Sequence, residues 1–271
     1  MDDVKQLMDD GRLDDAIAAL GLAVKAKPTD GGLRTWLFEL LCFSGDLDRA
    51  ARQLDVLGSS GNPGTDFAVQ VYRDLLNAER ARRAVFHGEG LPKFLVEPPP
   101  HVERHLIAVK RAVAGAPDAA DLLAEAEAMA PDIGGRAGDT TFASFRDADG
   151  RLGPILEVFH GSEYVWVPLS AVETLQVSAP ERLRDLVWAH ARIEAYGEGP
   201  GDIFVPVLYP DTHQQANAQV KLGRMTEWRE SPPGVVVAAG QRVFFGDDHE
   251  FPLLELRDLR LSPVSGGVTA T

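Results

Sequence analysis

Gly11-Arg12-Leu13-Asp14-Asp15-Ala16 returns as Gly45-Asp46-Leu47-Asp48-Arg49-Ala50, 34 residues further along the chain, and Leu20 maps on Leu54 with the same offset. That period belongs to the tetratricopeptide helix–turn–helix, in which each unit buries its apolar face only against its neighbours. The residue types suit the unit. Small Ala16 and Ala50 let paired helices approach closely, and Leu20 and Leu54 fill the space between them. The spacing predicts a helix over 13–27, stopped by Pro28, and a second over 31–44, ended by Gly45. A third copy would need Ala84, which is present. The Gly-x-Leu turn before it is missing, and Tyr72, Leu75 and Leu76 suggest one longer helix instead. Two units cannot cover themselves, so later helices at 65–86, 101–114 and 118–129 are expected to cap the stack.

The pattern changes near Pro131. Beyond it, short runs bounded by Gly, Pro and Asp replace the helical spacing. The expected organisation is α+β: an N-terminal α-helical, tetratricopeptide-like repeat domain over 1–131, then a C-terminal α+β domain with antiparallel strands over 132–261. Residues 262–271 have the composition of a disordered tail. Pro131-Asp132-Ile133-Gly134-Gly135 reads as the linker. Asp149-Gly150 between the strand-like runs 141–145 and 155–159 signals a hairpin. A third strand runs over 164–168, and Pro180 to Leu186 reads as a short helix. Strands are expected at 187–195 and 203–208, a helical piece at 212–221, and a closing hairpin of 234–245 with 252–261 across Gly246-Asp247-Asp248.

Charge narrows the function. Forty-one Asp and Glu against 27 Lys and Arg give a net charge of −14. Nucleic acid and anionic membranes need clustered excess cation, so neither is expected as a partner. The acidic start, Met1-Asp2-Asp3-Val4, does not resemble a secretory leader, and no apolar run approaches the length of a membrane span, so a cytoplasmic protein is expected. Cys42 is the single cysteine. It lies beside Leu41 and Phe43 in a predicted helix, the setting of an inert buried thiol.

No motif reaches the level of a catalytic or metal site. His101 and His105 share a helix face, but Glu103 between them fits neither order of the zinc-protease motifs, and a solvated or capping face explains them better. Asp147-Ala148-Asp149-Gly150 is too short for a calcium loop, and the hairpin turn accounts for it. Gly197-Glu198-Gly199-Pro200-Gly201-Asp202 lacks the converging backbone donors of a phosphate cradle. Asp247-Asp248-His249-Glu250 reads as a charged turn. Glu157 is the one carboxylate whose apolar surroundings would raise its pKa, although the polar face of its strand is the preferred place for it. Tyr164 and Trp166, two residues apart, are expected on one strand face with Phe159 nearby. The enzyme alternative needs Glu157, Tyr164, Trp166, Arg224 and Trp228 to converge on a pocket.

Longer stretches carry a resemblance. Leu33-Arg34-Thr35-Trp36-Leu37-Phe38-Glu39-Leu40-Leu41-Cys42, followed by Gly45-Asp46-Leu47-Asp48-Arg49-Ala50-Ala51-Arg52-Gln53-Leu54, resembles the corresponding segment of the ImpE family, also called SciE or TagJ. Leu156-Glu157-Val158-Phe159 with Tyr164-Val165-Trp166-Val167-Pro168 is similar to that family's second half, as are Arg184 to Trp188, Val205 to Pro210, Leu222 to Trp228 and Gly240-Gln241-Arg242. One departure is the polar Asp211 to Gln215 stretch, where the family is expected to carry a Ser-containing loop. The resemblance implies a non-enzymatic accessory protein of bacterial type VI secretion, without cofactor, metal or catalytic residue. It further implies binding to the N-terminal region of the small contractile-sheath subunit and a link to sheath recycling by the ClpV ATPase. A general repeat adaptor outside secretion is the competing binding class.

In a tetratricopeptide stack the first helix of each unit lines the inner face. Aligned on Ala50, helix 31–44 would present Thr35, Glu39, Cys42 and Phe43 there, with Leu37 and Leu41 turned towards the next helix. Phe43 would offer apolar area and Glu39 would favour a basic partner helix.

Overall fold

The computed structural model describes residues 2–58, 63–95, 97–196 and 199–263. Helices come first: α1 (Asp2–Asp9), α2 (Leu13–Ala26), α3 (Gly31–Ser44), α4 (Leu47–Leu57), α5 (Pro63–Phe86), α6 (Pro100–Val113) and α7 (Ala119–Met129). The repeat has a backbone cause. Gly11 and Gly45 both adopt left-handed φ, +76° and +75°, so each turns one helix into the next at the same place in its unit. Asp30 caps α3 by accepting from the Leu33 amide at 3.1 Å, and Asp46 caps α4 by accepting from the Arg49 amide at 3.1 Å. Ala16, Ala50, Leu20 and Leu54 are all buried between the paired helices. The longer helix expected around Tyr72 to Ala84 is α5, and its Arg83 donates to the Gly45 carbonyl at 2.9 Å, fastening the end of α3.

Strands follow: β1 (Ile133–Ala137), β2 (Thr140–Phe142), β3 (Arg146–Asp147), β4 (Ile155–His160), β5 (Glu163–Pro168), β6 (Val172–Val177), β7 (Trp188–Ala195), β8 (Gly201–Pro206), then the short α8 (Ala218–Lys221) and β9 (Thr226–Glu230), β10 (Val236–Gly240), β11 (Val243–Gly246), β12 (His249–Pro252) and β13 (Asp258–Pro263). Eight form one sheet in the order β2-β1-β13-β6-β7-β8-β4-β5, with every neighbouring pair antiparallel. The free edge at β5 is covered by the segment after α5: the Lys93 amide donates to the Tyr164 carbonyl, and the Trp166 amide to that of Lys93. The remaining strands form two small sheets, β10-β9 and β12-β11-β3.

Several pairings differ from the sequence reading. Asp149-Gly150 does not close a hairpin: β2 pairs with β1, and β4 with β5 and β8. The turn is instead a tucked loop in which Asp149 accepts from the Arg151 amide. Gly134 and Gly135 are not linker but part of β1, which pairs with β13. A Cβ at Gly135 would fall 2.1 Å from the Arg260 carbonyl oxygen, so glycine there permits a close strand approach. The helix expected from Pro180 is a single 3-10 turn, Leu183–Leu186. The closing hairpin is only β11 with β12; β10 pairs with β9, and β13 returns to the main sheet between β1 and β6. Ser262 and Pro263 belong to β13, while the rest of the expected tail lies outside the described residues.

The apolar interior does not stop at the helix-to-strand boundary. One continuous cluster of buried side chains runs from Val4 in α1 to Leu261 in β13. Helix α5 is the element shared between the halves, packed on α4 on one side and on β4 and β5 on the other.

Candidate functional site

Arg82 shows what joins the halves. It lies on the face of α5 that also carries Leu75, Ala78, Val85 and Phe86, and it is buried like them. Its Nε and Nη2 donate to the two carboxylate oxygens of Glu157 in β4, both at 2.9 Å, and Nη2 also donates to the Leu208 carbonyl at 3.0 Å. A second guanidinium, Arg242, pairs with Glu157 from the other side, reaches Asp147 through Nη1 and donates from Nε to the Pro206 carbonyl at 3.0 Å. The Tyr164 hydroxyl donates to Glu157, and Trp166 Nε1 donates in turn to the Tyr164 oxygen. The Tyr209 hydroxyl donates to Asp147 at 2.9 Å and accepts from the Val243 amide. Two carboxylates and two guanidiniums thus meet away from water with their oxygens and N–H groups mutually engaged.

The titration follows from that balance. Burial pushes Glu157 upwards, but Arg82 and Arg242 outweigh it and hold its pKa down at about 2. The sequence reading expected the opposite shift, or a solvated strand face. It saw the apolar neighbours and not the two arginines, which come from positions far away in the chain. For Asp147, burial outweighs Arg242 and lifts the pKa to about 6. Asp147 and Asp149 are saturated with protein donors: Asp147 accepts from the Asp149 amide, Tyr209 and Arg242, and Asp149 from Arg151 and the Ala238 amide.

The four residues expected on a free inner face are arranged differently. Thr35 is half-buried and donates to the Gly31 carbonyl at 2.9 Å. Glu39, Cys42 and Phe43 are buried, because the second half of the chain covers this side of α3. Arg184, from the 3-10 turn, reaches Glu39 at 3.3 Å with its guanidinium 4.4 Å from the centre of the Tyr72 ring. Burial raises the Glu39 pKa despite Arg184, and it lifts the Cys42 thiol well above its ordinary value. Cys42 and Phe43 face a small void of about 20 Å³ beside Trp188, Tyr209 and His213, room for one water. The expectation treated the repeat as free-standing; here its inner face is an internal contact, and these three residues are not a free surface.

His101 and His105 also depart from the expected solvated face, since both are buried on α6. His105 Nε2 lies 2.8 Å from the Arg151 carbonyl oxygen, so Nε2 carries the proton and Nδ1 is a bare acceptor with no partner among the described residues. Burial lowers its pKa to about 4. Of the five side chains the enzyme alternative requires, Glu157, Tyr164 and Trp166 meet, with Phe159 and Tyr164 rings 6.1 Å apart. Arg224 instead donates to the Met8 and Asp9 carbonyls, and Trp228 is 43% exposed on β9. Among the described residues, no group of three or more His, Cys, Asp or Glu is spaced to hold a metal, and no helix is long and apolar enough to cross a membrane. Sequence reasoning missed Arg82 and Arg242. Arg82 left a legible trace, a charge inside the apolar stripe of a long helix; Arg242 left none.

Known proteins share this architecture. The family described as ImpE protein matches residues 139–260, and a tetratricopeptide repeat family matches residues 7–63. The type VI secretion system accessory component TagJ of Pseudomonas aeruginosa is 38% identical over 260 residues, covering 96% of this chain and 91% of its own length. The crystal structure of a Vibrio parahaemolyticus protein superposes with a TM-score of 0.88 at 26% identity, over 97% of this chain and 98% of that one. The α+β arrangement, with a repeat at its start and antiparallel strands after it, is therefore shared with that solved structure. Identity sustained across both halves leads to one conclusion: this chain belongs to the ImpE family.

Proposed function

We propose that the protein is a non-enzymatic accessory adaptor of type VI secretion. The observation that carries this reading is identity to TagJ across both halves, where a shared repeat alone would cover only residues 7–63. The finer reading is that it binds the N-terminal helix of the small sheath subunit and links the sheath to recycling by the ClpV ATPase. Two features support an adaptor. The repeat offers helix faces of the kind that hold partner helices, and the conspicuous buried charges of Arg82, Arg242, Glu157 and Asp147 engage one another.

The partner's place follows from exposure. With Glu39, Cys42 and Phe43 covered, Thr35 is the member of that set within reach of a second protein, so we place the partner helix along the Thr35 side of α3. The deciding experiment is a pull-down with the purified sheath subunit, intact and without its N-terminal region. Capture of the intact subunit alone, weakened by Thr35→Arg with the helical circular dichroism unchanged, is the expected result. Equal capture of both forms would reject the N-terminal helix, and undiminished capture by the variant would reject this side of α3. Failure to capture either form would reject sheath binding.

A further inference from the structure

The small sheet β10-β9 ends in an open edge. Three contacts of β10 show which way its ladder faces. The Ala238 amide donates to the Asp149 carboxylate at 3.0 Å, the Val236 carbonyl accepts from the Gly150 amide at 2.8 Å, and the Gly240 amide donates to the Thr212 hydroxyl at 2.9 Å. Residues 236, 238 and 240 therefore point away from β9, and Val237 and Ala239 make the ladder bonds with Arg229 and Glu227. By the same alternation the N–H and C=O groups of Thr226, Trp228 and Glu230 face outwards, where no other strand among the described residues pairs with them. Glu227, Trp228, Arg229 and Glu230 are all exposed, so both faces of β9 are open beside that edge. A two-stranded ribbon with an unpaired edge is a ready template for a further strand.

Charges on an edge strand ordinarily discourage such pairing. Here their order decides which strand is accepted. β9 reads Thr226-Glu227-Trp228-Arg229-Glu230, with opposite charges at equal distance from Trp228. A second copy of the strand, antiparallel and related by a two-fold axis at Trp228, sets each Glu227 opposite the Arg229 of the other copy and brings the two Trp228 side chains face to face. Moving the axis one residue either way puts Glu227 against Glu227 or Arg229 against Arg229, and pairs fewer residues. Glu227 accepts from Asn217 Nδ2 at 2.7 Å but, like Arg229, has no ion-pair partner among the described residues. The net charge of −14 repels two copies at long range. At physiological salt that repulsion is screened within about 8 Å, which leaves the local pairs to choose the register.

We propose that β9 is the contact of a two-fold homodimer, in which two β10-β9 ribbons join into one four-stranded sheet centred on Trp228. Trp228 exchanges both its backbone bonds with its counterpart, and Thr226 and Glu230 exchange theirs with each other across the axis. So short a strand makes a small interface, and the association belongs to the weak, transient class. This surface involves none of the α3 residues and does not depend on the sheath reading.

Sedimentation velocity of the full-length protein, from low micromolar to near-millimolar concentration, tests the contact. The native protein should pass from monomer to dimer over that range. Glu227→Arg places arginine against Arg229, and Arg229→Glu places glutamate against Glu227. Each variant alone should dimerise about tenfold more weakly than the native protein, with its circular dichroism unchanged. An equimolar mixture of the two variants restores both opposite-charge pairs and should recover the native affinity. A native protein that stays monomeric throughout would overturn the dimer and leave the edge to solvent or to another protein's strand. A dimer that both variants form as tightly as the native protein would place the contact elsewhere. Variants weakened alone and no tighter when mixed would overturn the register centred on Trp228.

Discussion

Glu157 is a carboxylate closed off from water, and guanidiniums from both halves of the chain keep it ionised. Replacing it by glutamine leaves Arg82 and Arg242 short of a counter-charge, and breaking such a buried pair costs about 3–5 kcal/mol. Urea denaturation of Glu157→Gln should show that loss. Phe43→Ala should cost about 3–5 kcal/mol as well, because the ring fills the interior; an unchanged melting temperature would put Phe43 on a surface after all. His105 gives a pH signature. Its folded pKa of about 4 lies below the usual 6.5, so the unfolded chain binds the proton first and stability falls as pH drops from about 6.5 to 4. The shift corresponds to about 3 kcal/mol. Asp147, lifted to about 6, acts in the opposite sense, losing stability as pH rises from about 4 to 6. The difference between the native protein and His105→Phe isolates the histidine: the variant should lose less stability on acidification than the native protein does. At this scale the sequence singled out Glu157 and His105, but their environments are made by Arg82, Arg242 and Arg151, 75, 85 and 46 positions away.

Elements were legible where their causes are local. Helix α3 falls on the predicted range, because Asp30 caps it and Gly45 ends it within the same stretch of chain. The repeat was legible for the same reason, since both glycine turns are local and identical. Strand positions were readable from alternation, and strand pairing was not. β13 inserts between β1 and β6 from the far end of the described chain, and no turn signal encodes that. Asp149-Gly150 misled because the same residues that favour hairpins also build side-chain-capped loops. Gly134 and Gly135 misled because glycine marks linkers and also close strand contacts. The second meaning is testable. Gly135→Ala would drive its Cβ into the Arg260 carbonyl, and overpacking of this kind costs about 1–3 kcal/mol. Hydrogen exchange should show protection lost first along β1 and β13, with the helices of the repeat retaining theirs. Uniform loss over the whole protein would mean that this pairing is not a separate cooperative unit.

For the whole molecule, the helix-to-strand change near residue 131 marks where the pattern switches, yet the interior crosses it without a break. Two repeat units leave an apolar face uncovered, and here the cover is α5 and the 3-10 turn of the second half rather than further repeats. Arg82, Glu39 and Phe43 all lie in the helical half and are all buried by the other half. This dependence explains why a repeat that looked like an open peptide groove has its inner side closed: the same residues serve as the internal contact. It also predicts how the halves behave apart. A chain ending at residue 131 would expose Phe43 and leave Arg82 without Glu157, so it should lack a cooperative unfolding transition and tend to aggregate. Supplying residues 132–271 as a second chain should restore a soluble complex, because the pairing partners are then present again. Near-ultraviolet circular dichroism and size-exclusion chromatography of the fragments, separate and mixed, would check this. A cooperatively folded 1–131 fragment would show instead that the repeat and its capping helices suffice, and that the buried ion cluster only docks two finished domains.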